Sequence, residues 1–290
     1  MTATALEEVL KRDRLVVLAS LVAIALIAWL YLFQLAADMA AMDTAPAPAT
    51  SSNDMAEMPG MDMSGMDMPG MKMEGRQSAS AAETSSSVIA TFGFLAAMWM
   101  VMMVGMMLPS AASTILLFAA LERKRQQLGP YGRTALFVSG YFLTWFAFSV
   151  VAAAAQAALS SAGLMSMDMT VTSAVAGGAV FILAGLYEFS PLKNRCLSHC
   201  RSPLEWIAHH QRPGSLGALR MGMSHGLFCV GCCWMLMLLL FVGGVMNLLW
   251  VAAIAGVVLV EKLLPGGPIA ARIAGGALVV FGVYLMSTAV

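Results

Sequence analysis

The sequence predicts an all-α membrane protein, a polytopic bundle of about seven transmembrane helices, and three observations predict it. Of its 290 residues 60% are hydrophobic and only 11% charged, with a mean hydropathy of +0.80, a composition that excludes an ordinary soluble domain. The charges gather in short clusters between apolar runs close to the ~20 residues that a helix needs to cross a ~30 Å hydrocarbon core. The runs are continuously apolar instead of alternating. That excludes transmembrane strands, whereas an unbroken helix satisfies every backbone polar group inside lipid.

The expected spans are Leu15–Ala37, Val88–Leu108, Thr134–Leu159, Val171–Phe189, Gly222–Phe241, Leu248–Leu264 and Ile269–Val290. The first follows Lys11, Arg12 and Arg14 and outruns the roughly 7–15 apolar residues of a signal peptide, so it reads as an uncleaved anchor. Placing the N-terminus inside puts 14 of the 16 Lys and Arg residues on the inner segments and leaves Lys72 and Arg76 outside. The positive-inside rule is then met at every loop, which predicts an N-in, C-out orientation. The chain divides into residues 1–37 (cytoplasmic N-terminus and first span), 38–87 (a polar outer segment) and 88–290 (a six-helix membrane domain). A cytoplasmic Cys/His loop covers 190–221. All five cysteines, Cys196, Cys200, Cys229, Cys232 and Cys233, fall in that loop or in the fifth span. In a reducing setting metal binding or redox chemistry is a better use for them than a disulfide framework.

Residues 38–87 hold prolines, glycines and small polar residues, and they bury too little apolar surface to repay ordering, so they read as disordered. Ten of the 26 methionines lie there, including Met58, Met61, Met63, Met66, Met68, Met71 and Met73 in an imperfect repeat. Thioether sulfur is soft, uncharged and indifferent to pH. It suits Cu(I), or the chemically similar Ag(I), and suits Zn(II), Mg(II) or Ca(II) poorly. Spacings of two and three let a flexible chain wrap several sulfurs around one ion, and Asp62 and Asp67 add attraction for cations. Met165, Met167, Asp168 and Met169 repeat the theme in the next outer loop.

The second span continues the sulfur. Met98, Met102 and Met106 form one stripe at i, i+4 and i+8, while Met100, Met103 and Met107 form another on roughly the opposite side. Adaptable helix packing and ligation explain such stripes equally well. Pro109 is expected to kink or end this helix. In the fifth span, His225, Cys229, Cys232 and Cys233 share an arc of roughly 100°, placing an imidazole and the thiols on one face roughly 5–17 Å into the membrane. Gly226 and Gly231 favour close helix approach there. The cytoplasmic C-L-S-H-C offers Cys196, His199 and Cys200, with His209 and His210 further on. Glu188 and Glu261, at inner span ends, read as snorkelling partners of Lys193 and Lys262 in preference to proton carriers.

Several strings, W-M-V-M-M-V-G-M-M-L-P-S at 99–110, P-L-K-N-R-C-L-S-H-C-R-S-P-L at 191–204 and above all H-G-L-F-C-V-G-C-C-W from His225, carry a resemblance. From about Val88 to Val290 the chain resembles a bacterial family of predicted metal-binding integral membrane proteins sometimes labelled copper chaperone. The resemblance implies a metal role for His225, Cys229, Cys232, Cys233, Cys196 and Cys200; the expected location is a bacterial inner membrane, with residues 38–87 periplasmic by the division of charge. The methionine tract lies outside the shared region and supports the metal independently.

Together these readings predict binding and transfer of Cu(I), as a chaperone or transporter-like relay, in preference to catalysis. The expected partners are the bilayer, the ion, and a cuproenzyme or other membrane-complex subunits, with no nucleic acid. Two rivals stand beside it. A membrane thiol/quinone oxidoreductase would use Cys232/Cys233 or Cys196/Cys200, against the poor geometry of adjacent cysteines on one helix. A structural or assembly subunit would use the small-residue faces at Ala152–Ala155, Gly177–Gly178 and Gly243–Gly244.

Overall fold

The computed structural model describes residues 3–44, 74–125, 131–166, 170, 173–210 and 213–288, and among them every regular element is helical. In chain order they are α1 (Ala3–Thr44), α2 (Glu74–Arg125), α3 (Tyr131–Ser161), α4 (Ala174–Glu188), α5 (Pro191–Arg201), α6 (Pro203–His210), α7 (Gly214–Leu238), α8 (Leu240–Gly243), α9 (Leu248–Leu263) and α10 (Gly267–Thr288). Among the described residues five stretches are long and apolar enough to cross a membrane: Arg12–Met39, Val88–Lys124, Tyr131–Ser161, Gly214–Gly243 and Gly267–Thr288. A sixth arises if α4 and α5, bent by 62° at their break, count as one. The 16 residues of α9 reach about 24 Å at 1.5 Å per residue, short of a ~30 Å core.

Two boundaries differ from expectation for identifiable reasons. The second expected span ends at Leu108, but α2 runs through Pro109 to Arg125. A proline removes one backbone bond, here the one to the Gly105 carbonyl, and a membrane helix tolerates the gap. Around Pro109 the Ser110 and Tyr141 hydroxyls both donate to the Met107 carbonyl, at 2.9 and 3.3 Å. The connection expected at 190–221 contains α5, α6 and the start of α7. Ser190 caps α5 by accepting from the Lys193 N–H at 3.1 Å, with Pro191 in the first turn, the arrangement that starts a helix.

The bundle has two ends. At one, the Asp13 carboxylate of α1 accepts from Arg123 of α2 and, at 2.7 Å, from the Tyr131 hydroxyl of α3. Beside it Arg133 pairs with Glu122 at 2.9 Å. At the other end, Trp99 of α2 donates to Gln156 of α3 at 2.6 Å and stacks near Phe241 of α8, ring centroids 5.1 Å apart. A Cβ added at Gly177, near the start of α4, would meet Val242 at 3.0 Å. Close by, Gly178 faces the Gly282 carbonyl of α10. The start of α1 and the end of α10 therefore lie at opposite ends of the bundle.

Close backbone approach sets the helix pairing. A Cβ on Gly140 of α3 would collide with the Leu219 carbonyl, and one on Gly222 of α7 with the Phe137 carbonyl. These helices pack backbone to backbone. The small-residue faces at Gly178 and Gly243 likewise pack within the chain, on Gly282 with Met286 and on the Trp250 ring. Large apolar side chains such as Leu26, Ile27, Val280 and Tyr284 instead cover the outside of α1 and α10, where lipid can solvate them.

Candidate metal centre

The centre is built from α7 outward. Counting eight residues inward from Trp99 and from Phe241 advances about 12 Å along each antiparallel helix, and at that depth Cys233 donates to the Met107 sulfur at 3.8 Å. Cys229, Cys232 and Cys233 are all buried. The thiols of Cys232 and Cys233 both donate to the Cys229 carbonyl, at 3.0 and 2.9 Å, the usual resting place for a small polar side chain in a helix.

Three other elements close on Cys229. The Lys262 ammonium, at the end of α9, donates to the Cys229 sulfur at 2.9 Å and to Ser110 of α2 at 3.3 Å. The Tyr141 hydroxyl of α3 lies 3.2 Å from the same sulfur. From α5 the buried Cys200 thiol interacts with both Cys229 and Cys232. Thus four thiols, one thioether, one phenol and one ammonium meet inside the helix bundle. The shortness of α9 matters here. From the turn that follows Gly243 it runs back just far enough to bring Lys262 level with Cys229.

His225, one turn before Cys229, sits in an aromatic box. Its ring centroid lies 6.1 Å from Phe137, 5.8 Å from Tyr141 and 5.3 Å from Trp206. Its Nδ1 is buried without a hydrogen-bond partner.

The C-L-S-H-C residues separate. Cys200 enters the cluster, while Cys196, half-buried, packs on Gly231 of α7. His199 stacks on Phe228 at 4.3 Å and bonds the Arg195 carbonyl through Nδ1 at 2.7 Å. Met98, Met102 and Met106 are buried in the core, yet the thioether that reaches the cysteines is Met107, from the other stripe. Met58, Met61, Met63, Met66, Met68, Met71 and Met73 lie outside the described residues, as do Met167, Asp168 and Met169.

Of the pairs expected for Glu188 and Glu261, Glu188–Lys193 forms and Glu261–Lys262 does not, and neither carboxylate snorkels to the surface. Both are buried and both accept from the buried Lys193 ammonium, Glu261 at 2.8 Å. Lys262 pairs with neither, having turned to Cys229. The 62° break between α4 and α5 explains the difference, because it folds Lys193 back over Glu188 instead of letting it run on toward water.

Among the described residues no group of three or more His, Cys, Asp or Glu is arranged to hold a metal ion as it stands. The reason is visible at the sulfurs: two thiols rest on a backbone carbonyl and the third carries Lys262. The donor types nonetheless fit a soft ion, and side-chain rotation about χ1 is the movement needed to turn the thiols inward. Sequence reasoning missed Lys262, Tyr141, Ser110 and Met107. The signal available for Lys262 was an ionisable residue beside Glu261 in an apolar stretch, which marks a functional position by default.

A family model described as copper chaperone, PpoB2, matches residues 96–285. The chain belongs to the PpoB2 copper chaperone family. Membership ties it to copper binding or transfer, and the matched segment contains every residue of the thiol cluster together with His225, Lys193, Glu188 and Glu261. Helix α1 and the methionine tract precede the part that defines the PpoB2 family. No curated protein and no solved structure matches the chain.

Proposed function

We propose that this PpoB2 protein is a multi-pass inner-membrane protein that holds Cu(I) at the Cys200–Cys229–Cys232–Cys233 cluster and passes it on. The observation that carries the reading is the convergence of four thiols from two helices around a buried cation, Lys262. Thiolates are soft donors that prefer Cu(I) or Ag(I) to hard divalent ions. Two thiolates around one monovalent ion carry a net negative charge, and in a medium of low dielectric constant a nearby ammonium offsets it. His225, with its free Nδ1, and Met107 complete the donor set. The outer methionines, Met58 to Met73, collect the ion, and Cys196 and His199 exchange it with the cytoplasm or with an assembling cuproenzyme. The chain crosses the membrane seven times, N-in and C-out, with residues 38–87 periplasmic. The opposite ends of α1 and α10 support this, as does the grouping of Arg123 and Arg133 at the Asp13 end.

Elemental analysis of anaerobically purified protein tests the reading. Bound copper is expected in the wild type, and joint replacement of Cys229, Cys232 and Cys233 by Ser should abolish its retention against a chelator. Deleting residues 54–74 should lower the total while leaving the inner site filled. Unchanged stoichiometry in the triple variant rules out the inner site.

A second reading, a thiol/quinone oxidoreductase, is favoured by one observation. Cys200 offers a thiol from another helix beside Cys229 and Cys232, so a disulfide need not join neighbours on one helix. A trapped disulfide between α5 and α7 that forms with a quinone and turns over in copper-free protein would replace the copper reading.

A further inference from the structure

At the break between α4 and α5 stands a second polar site that the copper reading does not use. The side chains of Lys193, Glu188 and Glu261 are 1%, 0% and 3% exposed. One oxygen of each carboxyl group meets the ammonium. The other oxygen of each, Oε1, is buried without a hydrogen-bond partner. Both carboxyl groups bind the same Lys193 Nζ, which holds them side by side. Each carboxyl group therefore keeps one buried oxygen without a donor, and one ammonium is set against two carboxylates.

Buried charges persist only when paired, and unpartnered buried oxygens cost free energy. A single proton resolves both difficulties, because it turns the repelling pair into an O–H···O bond and leaves one carboxylate for one ammonium. Carboxylate pairs behave in this way when like charges cannot both ionise. A larger cation would instead bring a second positive charge against an ammonium already bound to the same two groups.

We propose that Glu188 and Glu261 form an intramembrane proton-binding site, sharing one exchangeable proton beside Lys193. The surrounding elements supply no other donor to those oxygens. From α5 the Arg201 guanidinium bonds the Glu261 backbone carbonyl at 2.6 Å, and from α7 Cys232 is the neighbouring thiol. In α9 Lys262 is turned to Cys229, and α10 presents Gly275 to Glu188, so the absence of a further donor holds among the described residues. On α4 Tyr187 donates to the Gly231 carbonyl. The site is thus linked to the thiol cluster through adjacent residues of α9, Glu261 and Lys262, so proton occupancy changes the charge beside that cluster. The proposal does not depend on copper being the cargo.

Infrared spectroscopy of the full-length purified protein in H2O and D2O tests it. At neutral pH the carbonyl stretch of a protonated carboxyl is expected in metal-free protein, displaced by D2O, and lost in both Glu188→Gln and Glu261→Gln. Glu188→Asp keeps an acid and should move the band without removing it, which covers a Gln variant that does not fold. Absence of the band in the wild type overturns the proposal. So does a band that survives both Gln substitutions, or one that appears only when sodium and potassium are withheld, which would identify a cation site.

Discussion

His225 separates stability from metal binding at the scale of one side chain. Its ring is held by stacking on Phe137 and Tyr141 and by Trp206, while Nδ1 bonds nothing. A buried polar atom without a partner contributes no stability, and removing it costs little or even helps. His225→Phe should therefore cost no more than about 1.5 kcal/mol, as a near-isosteric core swap does. If Nδ1 is a ligand, copper retention should fall at least about tenfold, the equivalent of one ~1.4 kcal/mol step in affinity. Chelator competition with parallel thermal unfolding measures both, and unchanged retention would remove His225 from the donor set. The face joining His225 to Cys229, Cys232 and Cys233 was legible because helical periodicity alone fixes it. Lys262 was not, because a lysine at the end of an apolar run reads equally well as an interfacial residue, and only the length of α9 decides that it turns inward.

Glycine decides how closely the elements approach. Adding a methyl group at Gly222 would drive it into the Phe137 backbone carbonyl, which has no free side chain to yield. Gly222→Ala should part α3 from α7 and destabilise by about 1–3 kcal/mol, as overpacking does. Gly256 of α9 has nothing within 4 Å of an added Cβ. There Ala should be neutral or stabilising by up to about 1 kcal/mol through helix propensity. Thermal unfolding in detergent compares the two, and equal midpoints would contradict the close packing of α3 on α7. At this scale hydropathy located the helices but not their ends. It records only transfer from water, so α2 passing Pro109 and α5 bending back from α4 escaped it. The bend depends on a group far away in sequence, Glu261 at Lys193.

For the whole molecule the number of crossings reduces to a question of parity. Five or seven crossings put the termini on opposite sides of the membrane, and six put them on the same side. The contacts favour an odd number. Asp13 joins Arg123 and Tyr131 at one end, while Gly282 of α10 lies against Gly178 at the end of Trp99 and Phe241. Helix α9, although shorter than a full crossing, must reverse direction between α7 and α10 for Trp250 to reach the Leu239 carbonyl and Lys262 to reach Cys229. The proposed N-in orientation places the lysines and arginines at the Asp13 end on the cytoplasmic side, as the positive-inside rule asks. A cysteine or epitope tag added after Val290 should then be labelled from outside intact cells by an impermeant reagent, whereas one placed before Ala3 should need permeabilised cells. Labelling of both tags from the same side would mean an even number of crossings.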